Sequence, residues 1–192
     1  METQIFGHFI ENSSENIEYL KIGLLPNCLS FKQNWRTNGL SAEFIADYVQ
    51  TFFAGKPQNT AAPIPIQSKH AVRYIANELL ENAMKFNDNN SQRFIEISFK
   101  LYNDKLIFHV THDINPNNVV RLKKFLQEII NEDNPQDLYF HRMEANAMND
   151  EKGSGLGLLS MVCDYSAKLG WKFEIPKHNA STTLTTMVCL NI

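Results

Sequence analysis

The chain has 192 residues, of which 43% are hydrophobic and 20% charged, as is usual for one globular domain with a buried core. Its formal net charge of −3 argues against a general nucleic-acid binder or a membrane-surface binder. Cys28, Cys163 and Cys189 form no CxxC pair, so we expect buried thiols in a reducing compartment. The first residues lack a signal-peptide pattern, and no apolar run approaches the roughly 18 residues of a membrane span. We therefore expect a cytoplasmic protein.

The first half of the chain carries two helical patterns. The apolar segment Ile17 to Leu25 precedes them and is compatible with either a strand or a helix. Ser41 is expected to cap a helix that ends at Gly55 and Pro57. The strongest helical pattern runs from Ser68 to Phe86, and a run of Asn and Asp residues ends it.

The second half begins with strand patterns. Ile95 to Leu101 and Leu106 to Val110 alternate apolar and polar residues, which predicts an antiparallel hairpin with one buried face. Pro116 is expected at the start of a further helix, and a weaker helical pattern follows from Leu138 to Ala147. The remaining predicted elements are a helix from Leu156 to Leu169 and strands at Trp171 to Ile175 and Thr182 to Leu190.

The predicted order of elements is typical of an α+β protein. Runs of helices beside antiparallel strands predict a two-layer sandwich of helices on a mixed, largely antiparallel sheet. We assign residues 41–192 to this domain and residues 1–40 to an N-terminal extension. The extension carries no motif, and it is expected either to add a strand to the sheet or to form a dimer surface.

A polar stripe interrupts the strongest predicted helix. Glu78, Asn82 and Lys85 stand at i, i+4 and i+7, so they share one helix face. The amide oxygen is a ligand that Mg²⁺ accepts, the ammonium neutralises phosphate, and the carboxylate can orient or deprotonate a nucleophile. The alternative is a solvated helix face with a Glu–Lys pair, which is common. Asn82 favours the functional interpretation, because Asn is a poor residue for a helix interior.

The second motif is a glycine-rich segment that opens a helix. It reads Gly153-Ser154-Gly155-Leu156-Gly157-Leu158. Glycines permit close approach of phosphate to the backbone, and the N-terminus of the following helix attracts anions. The alternative is a flexible loop before a helix. A Rossmann site is disfavoured because the preceding residues are polar, and a Walker A loop is excluded because no Gly-Lys-Ser/Thr follows.

Together the two motifs resemble the N-box and the second glycine box of the GHKL ATPases. The resemblance covers about residue 42 to the C-terminus and implies the histidine-kinase-like ATPase (Bergerat) fold with ATP and Mg²⁺ as ligands. It implies that Asn82 binds Mg²⁺ and that Glu78 serves as the catalytic base. Lys85 and the segment from Gly153 to Gly157, including Ser154, Gly155 and Leu156, would then surround the phosphates.

One part of the family pattern differs here. The family has an Asp, followed closely by Gly, after the second hairpin strand, and that Asp recognises the adenine amino group. In this chain Asp113 is the available acid, one position from the expected register, and no glycine follows it. His112 beside it is expected at the surface or in a turn. Thr183 lies in a segment similar to the family's final threonine-containing strand, and the resemblance implies that Asp113 and Thr183 both contribute to nucleotide binding.

The surroundings of the motifs narrow the resemblance further. His70 lacks the sequence of a phosphoacceptor histidine box, and we identify no second domain typical of gyrases, chaperones or mismatch-repair proteins. The chain therefore looks like the stand-alone kinases of partner-switching systems, of the anti-sigma-factor and SiaB types. The resemblance implies a Ser/Thr kinase acting on a small anti-sigma-antagonist (STAS-like) partner. A non-catalytic interaction module and a simple ATPase remain as alternatives.

Overall fold

A computed structural model describes residues 1–11, 18–25, 31–54, 66–149, 155–177 and 181–191. Within these ranges the chain forms five helices and six strands. The strands are β1 (Glu2–Gly7), β2 (Glu18–Leu24), β3 (Ile95–Leu101), β4 (Lys105–Ile114), β5 (Lys168–Ile175) and β6 (Thr182–Asn191). The helices are α1 (Phe31–Ala54), α2 (Ile66–Phe86), α3 (Pro116–Asn131), α4 (Pro135–Asn149) and α5 (Leu156–Tyr165).

The six strands form one sheet in the order β1-β5-β6-β4-β3-β2, and every neighbouring pair is antiparallel. Helices pack on one face of it, and the main core lies between the two layers. Each helix contributes to this core, as Ile45, Ile75, Leu126, Leu138 and Leu159 illustrate. The prediction of an α+β architecture with a hairpin at β3–β4 is confirmed. The prediction of a mixed sheet is wrong, because all pairings between the described strands are antiparallel.

The N-terminal residues supply both edges of the sheet. β1 pairs with β5 at one edge, and β2 pairs with β3 at the other. Residues 18–24 of the ambiguous segment are therefore a strand, and β1 is a strand that the sequence did not reveal. The expected boundary between residues 40 and 41 falls inside α1.

The predicted cap at Ser41 is wrong, because α1 begins at Phe31 and Ser41 lies in its interior. The helix continues through Gly39 and Ser41 since the residues around them pack on α2: Asn38 and Ala42 are both buried. Packing of one helix face commonly outweighs the low helix propensity of single Gly or Ser residues.

The predicted end of the last helix at Leu169 is also wrong. Ser166 adopts a left-handed conformation (φ 53°), and its N–H donates to the carbonyl of Val162. The N–H of Ala167 donates to the carbonyl of Met161, which closes the helix after Tyr165. The apolar residues that follow belong to β5.

Strand alternation decides which side chains reach the helical layer. In β4, Leu106, Phe108 and Val110 point into the core under the helices, whereas His109 and Thr111 point to the other face. The same alternation holds across β6 because the two strands are in register. No helix in the described part of the chain combines the length and apolarity that crossing a bilayer requires.

Candidate functional site

A cavity of about 500 Å³ lies between the sheet and helices α2, α3, α4 and α5. Asn82 and Lys85 of the first motif and Gly155 of the second line the same cavity, although about 70 residues separate them in the sequence. Trp171 and Leu184 of the sheet form part of its apolar lining. The cavity therefore combines an apolar floor with polar groups from both motifs, as ligand sites commonly do.

Helix α2 positions the first motif because its apolar stripe is buried against the sheet. Val72, Ile75 and Leu79 are almost fully buried, which turns the polar side of the helix toward the cavity. Asn82 is half-buried there, and its side chain makes no hydrogen bond with a described residue. Lys85 is exposed in the last turn, where a cation also interacts favourably with the helix dipole.

Glu78 does not line the cavity. Its carboxylate lies against Gly157, and a β-carbon at position 157 would overlap its Oε2. Burial raises the pKa of Glu78 above its usual value, and the nearby carboxylate of Glu81 raises it further. The structure thus places the predicted base beside the second motif, next to the cavity rather than in its wall.

The glycines of the second motif have packing roles that the sequence did not show. Gly155 precedes α5 with φ +96°, a conformation that disfavours any side chain, and a β-carbon there would overlap the ring of Phe125. Leu156 begins α5 and is half-buried, as is Gly157. Gly153 and Ser154 lie outside the described residues.

Asp113 and Thr183 are not part of this cavity. The Thr183 hydroxyl donates to Asp113 Oδ1 at 2.8 Å, and Ser91 donates to Oδ2 at 2.7 Å. Arg93 adds an ion pair to the same carboxylate at 3.6 Å. These groups lie on the sheet face that the helices do not cover, because odd-numbered residues of β4 point there. The structure places both residues outside the cavity that Asn82 and Lys85 line, and their role in nucleotide binding stays a prediction.

His112 takes the position that faces the cavity. It is 3% exposed in β4, so the prediction of a surface or turn residue is wrong. Burial lowers the pKa of His112 to about 4, although Nδ1 lies 3.2 Å from the carbonyl oxygen of Asp113. The imidazole is therefore neutral at physiological pH and lines the cavity without adding charge.

The buried His112 makes stability depend on pH. The unfolded chain protonates it near pH 6.5 and the folded chain only near pH 4, so stability falls as pH drops between these values. At 1.36 kcal/mol per pKa unit, the loss is about 3 kcal/mol at most. Urea unfolding from pH 7 to 4.5 measures it, and His112→Gln is the control that should show a shallower slope. Equal slopes for the two proteins would contradict the buried, neutral state.

Three cationic side chains that were not predicted from the sequence line the cavity together with Lys85, and we call these four residues the cationic rim. Arg121 and Lys124 come from α3 and Arg142 from α4, and they join Lys85 of α2. Glu128 is the one carboxylate residue among those that line the cavity in the described part of the chain. The excess of positive charge suits an anionic ligand. The spacing of Arg121 and Lys124 on one side of an amphipathic helix is a sequence signal, whereas Arg142 has none.

No group of three or more His, Cys, Asp or Glu side chains that could hold a metal exists among the described residues. A divalent cation at Asn82 would therefore need further oxygen ligands from a bound phosphate and from water. Such coordination is normal for Mg²⁺, which retains several waters and binds few protein groups. The half-buried amide of Asn82 fits this requirement.

No protein-family model matches the chain, and no curated protein sequence matches it either. The interpretation of the site therefore depends on its residues and geometry.

Proposed function

We propose that this chain is a GHKL-type protein kinase that binds Mg-ATP in the cavity. The proposal depends on one observation: Asn82, Lys85 and Gly155 line the same cavity, and the cationic rim lines it too. Two motifs that are distant in the sequence thus supply groups to the same space. The resemblance to the histidine-kinase-like ATPase fold is part of this proposal, and an α+β sandwich with an antiparallel sheet is compatible with it.

In this proposal the base of the nucleotide occupies the apolar part of the cavity, near Trp171 and Leu184. Its phosphates lie toward Lys85, and Asn82 holds Mg²⁺, which neutralises phosphate charge when bound. The N-terminus of α5 adds a favourable dipole for the anion.

Glu78 is the proposed general base. The hydroxyl oxygen of a partner Ser or Thr bonds to the γ-phosphorus while the bond to the departing ADP oxygen breaks, and the hydroxyl proton passes to the Glu78 carboxylate. Its raised pKa strengthens it as a base. The proposed substrate is a small STAS-like protein in a cytoplasmic partner-switching pathway.

Calorimetric titration with Mg-ATP tests nucleotide binding, with adenosine in the same Mg²⁺-containing buffer as the phosphate-free comparison. We expect saturable binding of Mg-ATP and much weaker binding of adenosine, because the cations of the rim interact with phosphate. Equal affinities for Mg-ATP and adenosine, or no binding of Mg-ATP, would contradict the proposal.

A non-catalytic interaction module is the second candidate. It is favoured by the position of Glu78 against Gly157 and by the absence of Asp113 from the cavity. This candidate differs from the kinase in two measurable respects. It predicts weak or no nucleotide binding, and no transfer of phosphate from ATP to any STAS-like protein.

A further inference from the structure

Arg142 belongs to the cationic rim, and its guanidinium contacts an acidic and an aromatic side chain of α3. Its Nη2 donates to Glu128 Oε2 at 2.5 Å, and its guanidinium carbon lies 4.0 Å from the centre of the Phe125 ring. Its Nε is buried and has no hydrogen-bond partner among the described residues. A buried donor without a partner is unfavourable, so this guanidinium has unused capacity to bind an acceptor.

The contacts of Arg142 also connect three parts of the site. It reaches from α4 to Glu128 and Phe125, which are both on α3. The Phe125 ring in turn occupies the space beside Gly155, at the start of α5. The guanidinium therefore lies at the junction of the cationic rim and the glycine motif.

We propose that Arg142 binds a phosphate group of the ligand and that Glu128 competes with this phosphate for the guanidinium. An arginine offers its Nε–H and an Nη–H together to a phosphate, in a bidentate arrangement. Glu128 holds one end of the guanidinium and leaves Nε without a partner, so the two anions are alternatives for the same cation. The inference rests on the proposed function, because it assumes that the cavity receives a phosphate-bearing nucleotide.

Competition and simple structural support have opposite consequences for Glu128→Gln. If Glu128 only keeps Arg142 in position, its replacement weakens ligand binding or leaves it unchanged. If Glu128 competes with phosphate, its replacement tightens binding. Glutamine keeps the size of the side chain and one acceptor oxygen while it removes the charge, so the change isolates the competing anion.

The experiment is a double-mutant cycle in which calorimetry measures Mg-ATP affinity. We expect Glu128→Gln to tighten binding about threefold to tenfold and Arg142→Gln to weaken it about tenfold or more. In the double variant the gain from Glu128→Gln should disappear, because Glu128 acts through Arg142. A gain that persists without Arg142 would show that Glu128 acts only as a nearby charge, and it would overturn the inference.

Controls separate this inference from the proposed function and from folding. Arg73 and Glu43 form a similar pair at 3.2 Å, away from the cavity, so Arg73→Gln and Glu43→Gln should leave affinity unchanged. Normal wild-type binding with unchanged or weaker binding by Glu128→Gln overturns the inference alone. Failure of the wild type to bind Mg-ATP overturns both. If Arg142→Gln unfolds, Arg142→Lys replaces it in the cycle, since lysine keeps the charge but loses the bidentate contact.

Discussion

Changing Glu78 to glutamine is expected to slow phosphoryl transfer to a STAS-like partner by about 100-fold or more, the usual contribution of a general base. The affinity for Mg-ATP should change little, because Glu78 lies against Gly157 and not in the cavity wall. Transfer of radiolabelled phosphate under single-turnover conditions measures the first effect, and calorimetry measures the second. Transfer at the wild-type rate would exclude Glu78 as the base.

The pH profile gives an independent test of the same residue. A general base must be deprotonated, so the transfer rate should fall as the pH drops through the raised pKa of Glu78. The charge of Glu81 contributes to that raised pKa. Glu81→Gln should therefore move the acid limb of the profile to lower pH without removing it. An acid limb that stays in place would show that another group titrates.

Changing Asn82 to alanine is expected to remove the gain in ATP affinity that Mg²⁺ provides. The amide oxygen is the proposed protein ligand of the metal, and no acidic cluster among the described residues could replace it. We expect Mg-ATP affinity to fall about tenfold to hundredfold, whereas ATP without Mg²⁺ should bind nearly as it does to the wild type. Titrations with and without Mg²⁺ give both values.

Asn77→Ala is the matched control on the same helix. The Asn77 amide donates to Glu81 at 2.5 Å and does not line the cavity, so its loss should leave the Mg²⁺ effect intact. An equal loss in both variants would indicate damage to α2 rather than removal of a metal ligand. A retained Mg²⁺ effect in Asn82→Ala would place the metal elsewhere.

Several elements were predictable because their patterns are long and regular. The apolar period of α2, which buries Ile75 and Leu79, located the helix and placed Asn82 and Lys85 on one side of it. The alternation in β3 and β4 located the hairpin. The ends of helices were less predictable: α1 continues through Ser41 because of its packing on α2, a contact that the local sequence does not reveal.

The face of the sheet to which an individual side chain points was harder to predict than the strand that carries it. A shift of one residue along a strand moves a side chain to the other face of the sheet. For this reason His112 lines the cavity, whereas Asp113 bonds to Ser91 and Thr183 on the opposite face. Arg142 was also unpredictable, because its position depends on the contact of its side chain with Glu128 of α3 and not on a local motif.

A crystal structure with Mg²⁺ and a non-hydrolysable ATP analogue tests the central claim most directly. The phosphates should lie between Lys85 and Arg142 near Gly155, with the metal on the Asn82 oxygen and the base near Trp171. Nucleotide bound on the other face of the sheet, beside Asp113 and Thr183, would contradict this assignment of the site. So would an empty cavity at saturating analogue.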